Sequence, residues 1–259
     1  MALVKAVGWN QTEEDWRNLL ALEPEGCFAI EREGTVVATA TAVCYGRDLG
    51  WIGMVLTHPE FRGRGFARRL MRAALDYLDR RGVAWSKLDA TAMGHPLYAS
   101  LGYRDEGPAE RWRRDPAQGP RGQAAELPYS PMSDLDRAAF GADRSRLLDY
   151  LSRYDAASVP GAGFAFGRPG NAAAYFGPCV SQTAAAARVL LERYLAAHSH
   201  EPVYWDLLPA NPEAVRLAEE YGFERQRILT RMARPSRPGL APVANRDRLV
   251  FALAGFEYG

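Results

Sequence analysis

The chain has 259 residues, with 32 Lys and Arg against 31 Asp and Glu, and 47% of its residues are hydrophobic. That length supports one large or two ordinary domains with real cores, and a charged fraction of 24% argues against disorder. A net charge of +1 gives no general electrostatic reason to bind nucleic acid or an anionic membrane.

Lys5 and Lys87 are the only lysines, a bias that reads as codon usage rather than chemistry. Cys27, Cys44 and Cys179 do not stand at metal-ligand spacing, and His58, His95, His198 and His200 form no HExxH-like array. The opening MALVKAVGWNQTEEDW lacks the apolar core of a signal peptide, and no apolar run approaches the roughly 18 residues of a membrane helix. The expectation is a soluble cytoplasmic protein with no dedicated metal site and with neither nucleic acid nor membrane as a partner.

In chain order, Asn10-Gln11-Thr12 before Glu13-Glu14-Asp15 reads as an N-cap followed by first-turn acids, with Trp16, Leu19 and Leu20 as the apolar face. Residues 27–32 and 35–43 are two strand-like runs around Glu33-Gly34, a hairpin signal. Residues 51–57 read as a buried strand that stops at His58-Pro59. From Gly65 the period becomes helical, with Phe66, Leu70, Met71, Ala74, Leu75 and Leu78 recurring until Gly82. A strand over 84–90 leads to a short helix over 96–101, closed by Gly102. Pro, Gly and charge then concentrate at 115–122, a domain boundary.

Beyond it, helices are expected over 133–140 and 144–154, strands over 163–167 and 172–176, an alanine-rich helix over 183–197 and a strand over 202–208. The halves echo each other. Lys87-Leu88-Asp89-Ala90 followed by Leu101-Gly102-Tyr103 parallels Tyr204-Trp205-Asp206-Leu207 followed by Tyr221-Gly222-Phe223. A repeat of about one hundred residues means two copies of one domain, not a solenoid. The apolar tail over 249–259 is expected to dock as a strand.

The stretch WIGMVLTHPEFRGRGFARRL, residues 51–70, carries the chemistry. A strand runs into Arg62-Gly63-Arg64-Gly65-Phe66-Ala67 and a helix starts at once, so backbone N–H groups and the helix dipole converge on one point suited to a phosphate or pyrophosphate. Arg62, Arg64, Arg68 and Arg69 supplement that field. The Lys-Ser/Thr of a P-loop is absent.

Arg-x-x-Gly-x-Ala in this setting resembles the acetyl-CoA signature of the GNAT N-acetyltransferase superfamily, and Leu97-Tyr98-Ala99-Ser100-Leu101-Gly102-Tyr103 resembles its second signature. The resemblance covers residues 10–114, and the strand pair around Trp51 and Lys87 is similar to a bacterial two-domain subgroup. It implies a mixed α/β fold of two tandem GNAT-like domains, each a central mixed sheet flanked by helices. Residues 1–120 would be the catalytic domain and 121–259 a degenerate copy. By the same resemblance Val55, Leu56 and Thr57 pair with the pantetheine arm of acetyl-CoA, Arg62, Gly63, Arg64, Gly65, Phe66, Ala67 and Arg68 cradle its pyrophosphate, and a backbone N–H near Met54 or Val55 polarises the thioester. Tyr98 would protonate the departing thiolate, consistent with a phenol held as a hydrogen-bond donor.

Other residues carry alternatives. Asp89 is general base, substrate anchor or backbone brace, and its echo Asp206 supports the brace. His58 and His95 are solvated or capping residues. Arg111-Trp112-Arg113-Arg114 meets an acidic group or guards a strand edge. Cys27 and Cys44 fill core. The superfamily's opening strand is missing or displaced, since only residues 3–7 precede the matched region. The asparagine common after the fourth-motif strand is replaced by Ala92-Met93-Gly94. The second half reads Val180-Ser181-Gln182-Thr183-Ala184 where the first has its glycines, and Ala218 where the first has Tyr98. The expected function is acetyl-CoA-dependent N-acetylation of a primary amine on a small molecule by direct attack. A non-catalytic acyl-CoA sensor and a protein or peptide N-acetyltransferase are the alternatives, and a homodimer is a candidate assembly.

Overall fold

A computed structural model describes residues 2–116 and 126–259. Of the linker expected at 115–122, only Asp115 and Pro116 fall within the described residues, and the expected boundary at 120/121 lies outside them. The chain divides into two compact units, each discontinuous in sequence. The first takes Met1–Glu106, Arg231–Val243 and Phe256–Gly259, and the second takes Gly107–Thr230 and Ala244–Gly255.

In the first unit, α1 (Ala2–Val7) and α2 (Glu13–Leu22) precede β1 (Cys27–Arg32), β2 (Thr35–Tyr45) and β3 (Leu49–Thr57). No strand precedes α2 among the described residues, because residues 2–7 are helical. Thr12 caps α2 in a reciprocal box with Asp15, as the Asn10-Gln11-Thr12 signal implied. The β1–β2 turn has Glu33 at φ 50° and Gly34 at φ 75°, left-handed conformations that match the twist of a two-residue hairpin. Next come α3 (Phe66–Arg80), β4 (Trp85–Ala90) and α4 (His95–Ser100). Leu70, Met71, Ala74, Leu75 and Leu78 bury the apolar stripe of α3, and most of it joins a core with Ile52, Leu88, Tyr103 and Met232.

In the second unit, α5 (Ser133–Phe140) and α6 (Ser145–Leu151) precede an antiparallel run of β6 (Asp155–Val159), β7 (Gly163–Arg168) and β8 (Ala174–Ser181). After α7 (Ala184–Ala197), β9 (Val203–Leu207) lies parallel to β8, and α8 (Pro212–Glu220) follows. Strand–helix–strand with a parallel return is thus common to both units, since β4 also lies parallel to β3.

Each unit is completed by a strand from the other half of the chain. The strand after α4, β5 (Arg104–Arg114), pairs through Glu110 to Arg114 with Leu207 to Val203 of β9. The strand after α8, β10 (Glu224–Pro235), runs beside β4, where Ser86 Oγ donates to Arg234 O at 3.4 Å and Ser236 N–H donates to Ala84 O at 2.8 Å. The tail departs from the expected single strand. Only Val250–Ala252 (β11) is extended and paired, antiparallel to β8, while Phe256–Gly259 belongs to the first unit. Among the described residues no helix is long and apolar enough to cross a membrane, and no three His, Cys, Asp or Glu residues gather as a metal site.

Candidate active site

The site of the first unit starts from a fault in its sheet. Strands β3 and β4 pair only where Leu49, Gly50 and Trp51 meet Trp85, Ser86 and Lys87. Beyond that point β3 continues to Thr57 and β4 to Ala90 without pairing to each other. On the other side of β3 the register with β2 shifts, Thr41 facing Gly53 but Thr39 facing Leu56. The extra residue makes a bulge, and Met54 sits in it at φ 50°. A left-handed methionine is costly and persists only where the surroundings enforce it. Here its side chain is buried and its carbonyl accepts from Thr39 Oγ1 at 2.8 Å. A bulge leaves its extra residue outside the ladder, so backbone N–H groups at Met54 and Val55 are released from sheet pairing.

The parted strands open into a cleft of about 440 Å³. Val55, Leu56 and Thr57 form one wall, and Thr91, Met93, Gly94, Leu97 and Tyr98 another. At its mouth lie Arg62, Gly63, Gly65, Phe66, Ala67 and Arg68. Gly63 and Gly65 both have φ +76°, and a Cβ built on either meets nothing within 4 Å. Glycine is needed there for its backbone conformation, and the space above the turn is free. Gly65 caps α3 without any side-chain hydrogen bond, and the first turn of α3 holds no acid. In contrast, α2 begins with a closed capping box and three acids. The first N–H groups of the fifteen-residue α3 are therefore left for an anion, with the helix dipole behind them.

The arginines differ in their use. Arg64 folds back, donating from Nη2 to Glu60 O at 3.3 Å and stacking 4.9 Å from the Phe61 ring centre, and it does not line the cleft. Arg62 and Arg68 do line it, and both are exposed. Tyr98 is buried, with its ring against Gly94, where a Cβ would lie 2.8 Å from Cε2 and 3.2 Å from the hydroxyl oxygen. Burial pushes its phenol up to about 12, so the hydroxyl is protonated at neutral pH. That hydroxyl makes no hydrogen bond among the described residues and is free to donate into the cleft.

Asp89 is placed elsewhere. Its carboxylate is fully enclosed and takes two hydrogen bonds from Arg231, Nε and Nη2, each at 2.9 Å, while the guanidinium stacks 4.7 Å from the Trp51 ring centre. The same device recurs in the second unit, where Arg111 grips Asp206 at 2.7 and 2.6 Å. Both pairs tie the parallel strand to the strand exchanged from the other half, an arrangement that suits the bracing alternative for Asp89. The run from Arg111 is accordingly no open patch: Arg111 and Trp112 are buried and Arg113 pairs with Asp115 at 2.8 Å. His58 Nδ1 accepts from Glu60 N–H at 3.4 Å and His95 pairs with Asp105 at 2.8 Å, both local roles. Cys27 and Cys44 are half-buried beside Glu23, and burial pushes their thiols up to about 11 and about 12.

The second unit has closed both features. At α7 the Thr183 side chain accepts from Ala186 N–H at 3.2 Å, and Ser181 Oγ accepts from Thr183 N–H at 3.3 Å. The parting of β8 and β9 is filled by the chain itself: Val250 and Ala252 pair with Val180 and Cys179, and Leu253 N–H donates to Asp206 O at 2.8 Å. Trp205 Nε1 donates to Phe251 O at 2.7 Å and Asn211 Nδ2 to Val250 O at 3.0 Å, seating the plug.

Sequence reasoning missed Val7, Trp9 and Phe61, which also line the first unit's cleft. Val7 and Trp9 pack on a cluster of Leu3, Val4 and Leu56, and the apolar spacing of that opening segment was the signal available. It also missed the bulge at Met54, although Gly53 just before it is a bulge signal inside a strand.

Residues 5–103 match the family model described as the Acetyltransferase (GNAT) family, and residues 132–242 match the Acetyltransferase (GNAT) domain. No curated protein matches the chain. Among solved structures, a Pyrococcus horikoshii protein proposed to be an acetyltransferase is similar at TM-score 0.83 and 20% identity, over 99% of this chain and 90% of that one. A GCN5-related N-acetyltransferase from Sphaerobacter thermophilus is similar at 0.64 and 18%, over 94% and 92%. A tandem GNAT protein from the clavulanic acid biosynthesis pathway is similar at 0.57 and 16%, over 88% and 89%. At these identities the likeness is one of fold.

Proposed function

The chain belongs to the GNAT acetyltransferase superfamily, with two GNAT domains in tandem, and from that premise we propose that it transfers the acetyl group of acetyl-CoA to a primary amine of a small molecule. The observation that carries the reading is the unfilled N-terminus of α3 behind the Gly63–Gly65 turn, opening into a cleft that Tyr98 lines. The free space above both glycines and the acid-free first turn suit a pyrophosphate, and the released edge of β3 at Val55, Leu56 and Thr57 suits the amides of a pantetheine arm.

Bound there, acetyl-CoA supplies an activated acetyl thioester. The N–H groups at the Met54 bulge are the donors for its carbonyl oxygen as negative charge develops. A neutral amine attacks the carbonyl carbon, the C–N bond forms and the C–S bond breaks. Tyr98 gives its proton to the departing sulfur, and the proton lost by the amine restores the phenol through solvent.

The acceptor is read as a small molecule on the apolar bodies of Trp9 and Met93, which line the cleft beside the residues given to acetyl-CoA. With the second unit's cradle capped and its split plugged, one acetyl-CoA per chain is expected. The reading requires no nucleic-acid or membrane partner, and a homodimer is compatible with it. Calorimetric titration with acetyl-CoA, followed by an amine panel monitored for released thiol, tests it. Failure to bind acetyl-CoA sinks the reading. Binding without thiol release from any amine favours an acyl-CoA sensor, and release only with peptides moves the acceptor class.

A further inference from the structure

The last four residues reach the catalytic strand from the face that α3 leaves uncovered. A Cβ on Gly50 would strike Leu78 of α3 at 2.6 Å, whereas one on Gly53 would strike the backbone of Glu257, with O at 2.8 Å and Cα at 2.9 Å. Positions three apart on a strand point to opposite faces, so α3 covers one side of β3 and the Phe256–Gly259 segment the other. The contact at Gly53 is immediately before the bulge.

The segment is fastened to every element around that point. Trp51 Nε1 donates to Phe256 O at 2.9 Å, and Tyr45 of β2 donates its hydroxyl to Tyr258 O at 2.7 Å. The Tyr258 hydroxyl donates to Asp15 O of α2 at 3.2 Å, and Gln11 Nε2 donates to the Glu257 carboxylate at 2.8 Å. Glu257 is 2% exposed and Tyr258 0%. Burying a carboxylate and a tyrosine is costly unless their polar groups are met, and here hydrogen bonds to Gln11, Asp15, Tyr45 and Trp51 fasten the segment as a turn against the sheet. The pyrophosphate turn lies beyond Thr57, past the far end of β3.

We propose that Phe256–Gly259 is a positioning segment for the transfer reaction, holding β3 at Gly53 so that the N–H groups of the Met54 bulge are aimed at the thioester carbonyl. This rests on the acetyl-transfer reading above. The segment contributes to kcat through donor alignment, while binding of the cofactor's phosphates depends on the turn and α3.

The test compares the full chain with a variant lacking Phe256–Gly259 and with Gly53→Ala, whose added methyl presses on the Glu257 backbone while the segment is retained. Three quantities are read: the Kd for acetyl-CoA, the carbonyl resonance of bound [1-13C]acetyl-CoA, and kcat with whichever amine the panel identifies. In both variants the Kd should stay within about threefold of the full chain. The bound carbonyl resonance should move toward that of free acetyl-CoA. Turnover should fall about ten- to a hundred-fold, the scale of a misaligned oxyanion donor. If a folded variant keeps the full chain's carbonyl resonance and kcat, the inference is overturned. It is equally overturned if Kd and kcat collapse together. Should the shortened chain fail to fold, Gly53→Ala decides alone. If the full chain itself binds no acetyl-CoA, the acetyl-transfer reading has failed, a result distinct from either of these.

Discussion

Replacing Tyr98 by phenylalanine separates chemistry from architecture. The ring is buried against Gly94 and edge-on to Tyr103 at 6.4 Å between ring centres, and Phe preserves both contacts. The hydroxyl makes no hydrogen bond among the described residues, so its removal forfeits none of the about 0.5–1.5 kcal/mol that such a bond contributes to stability. The melting temperature should hold within about a degree or two. Turnover should not: losing a positioned general acid costs about 10²–10⁴-fold, or roughly 2.7–5.5 kcal/mol of barrier. Acetyl-CoA binding, fixed by the turn and the strand edge, should hold. Because burial pushes the phenol up to about 12, the donor form persists throughout the working range. The wild-type rate should therefore rise as the amine deprotonates and show no alkaline fall by pH 10. Steady-state kinetics with thiol detection, a pH profile from 6 to 10 and calorimetric binding form the assay. Full activity in Tyr98→Phe, or a wild-type profile that falls above pH 8 with the fold intact, would refute the assignment.

Other substitutions probe the frame around the site. Asp89→Asn removes the carboxylate that two Arg231 nitrogens grip at 2.9 Å, and breaking a buried pair in this way should cost up to about 3–5 kcal/mol and lower the melting temperature by up to roughly ten degrees; thermal denaturation checks this, and the shape of the kcat/KM pH profile should stay as in wild type. A lost basic limb with unchanged melting would instead make Asp89 the base. Gly65→Ala forces a Cβ onto a residue at φ +76°, a strain of about 1–2 kcal/mol. The turn relieves it by moving when no anion is bound, so the Kd for acetyl-CoA should weaken about five- to thirty-fold with little thermal effect. An unchanged Kd excludes the turn as the phosphate cradle. His198 is raised above its ordinary value, first by the Asp155 carboxylate 3.7 Å from its Nε2 and also by Glu201, hydrogen-bonded to its Nδ1 at 2.8 Å. The stability it adds is fully present below the unfolded value near 6.5 and is lost as pH rises through the higher folded one. The melting difference between wild type and His198→Gln should accordingly shrink on going from pH 5.5 to pH 8.5.

Local signals carried much of the architecture. Thr12 before three acids, Glu33-Gly34 between two strands and the helical period after Gly65 each act over a few residues, and each appears where its spacing puts it. The glycine turn before α3 and the short helix that carries Tyr98 were legible as local structure for the same reason, and the paired Asp89 and Asp206 betrayed the repeat. What was illegible depends on partners distant in sequence. Asp89 reads as a candidate base until Arg231, 142 residues away, takes both its oxygens. The bulge at Met54 is imposed by Thr39 and by the sheet, against the ordinary preference of methionine. The tail looked like one strand, but only Val250–Ala252 pairs as one, and Phe256–Gly259 belongs to the other unit. Strands β5 and β10 exchange places because pairing partners are chosen by the assembled sheet, and a periodicity of two says nothing about which edge will accept them.

That exchange has a consequence in time. Trp51 and the carbonyl it grips at Phe256 are separated by 205 residues. At about 5–20 residues per second on a ribosome, between about ten and forty seconds pass before the second partner exists. For most of that interval β4 has β3 on one side and still lacks β10 on the other, and the strand that will carry the bulge has one bare face. A nascent first half therefore cannot complete its own unit ahead of the second. Gene fission at the linker would yield two pieces that each lack a strand supplied by the other, because β5 pairs with β9 and β10 runs beside β4.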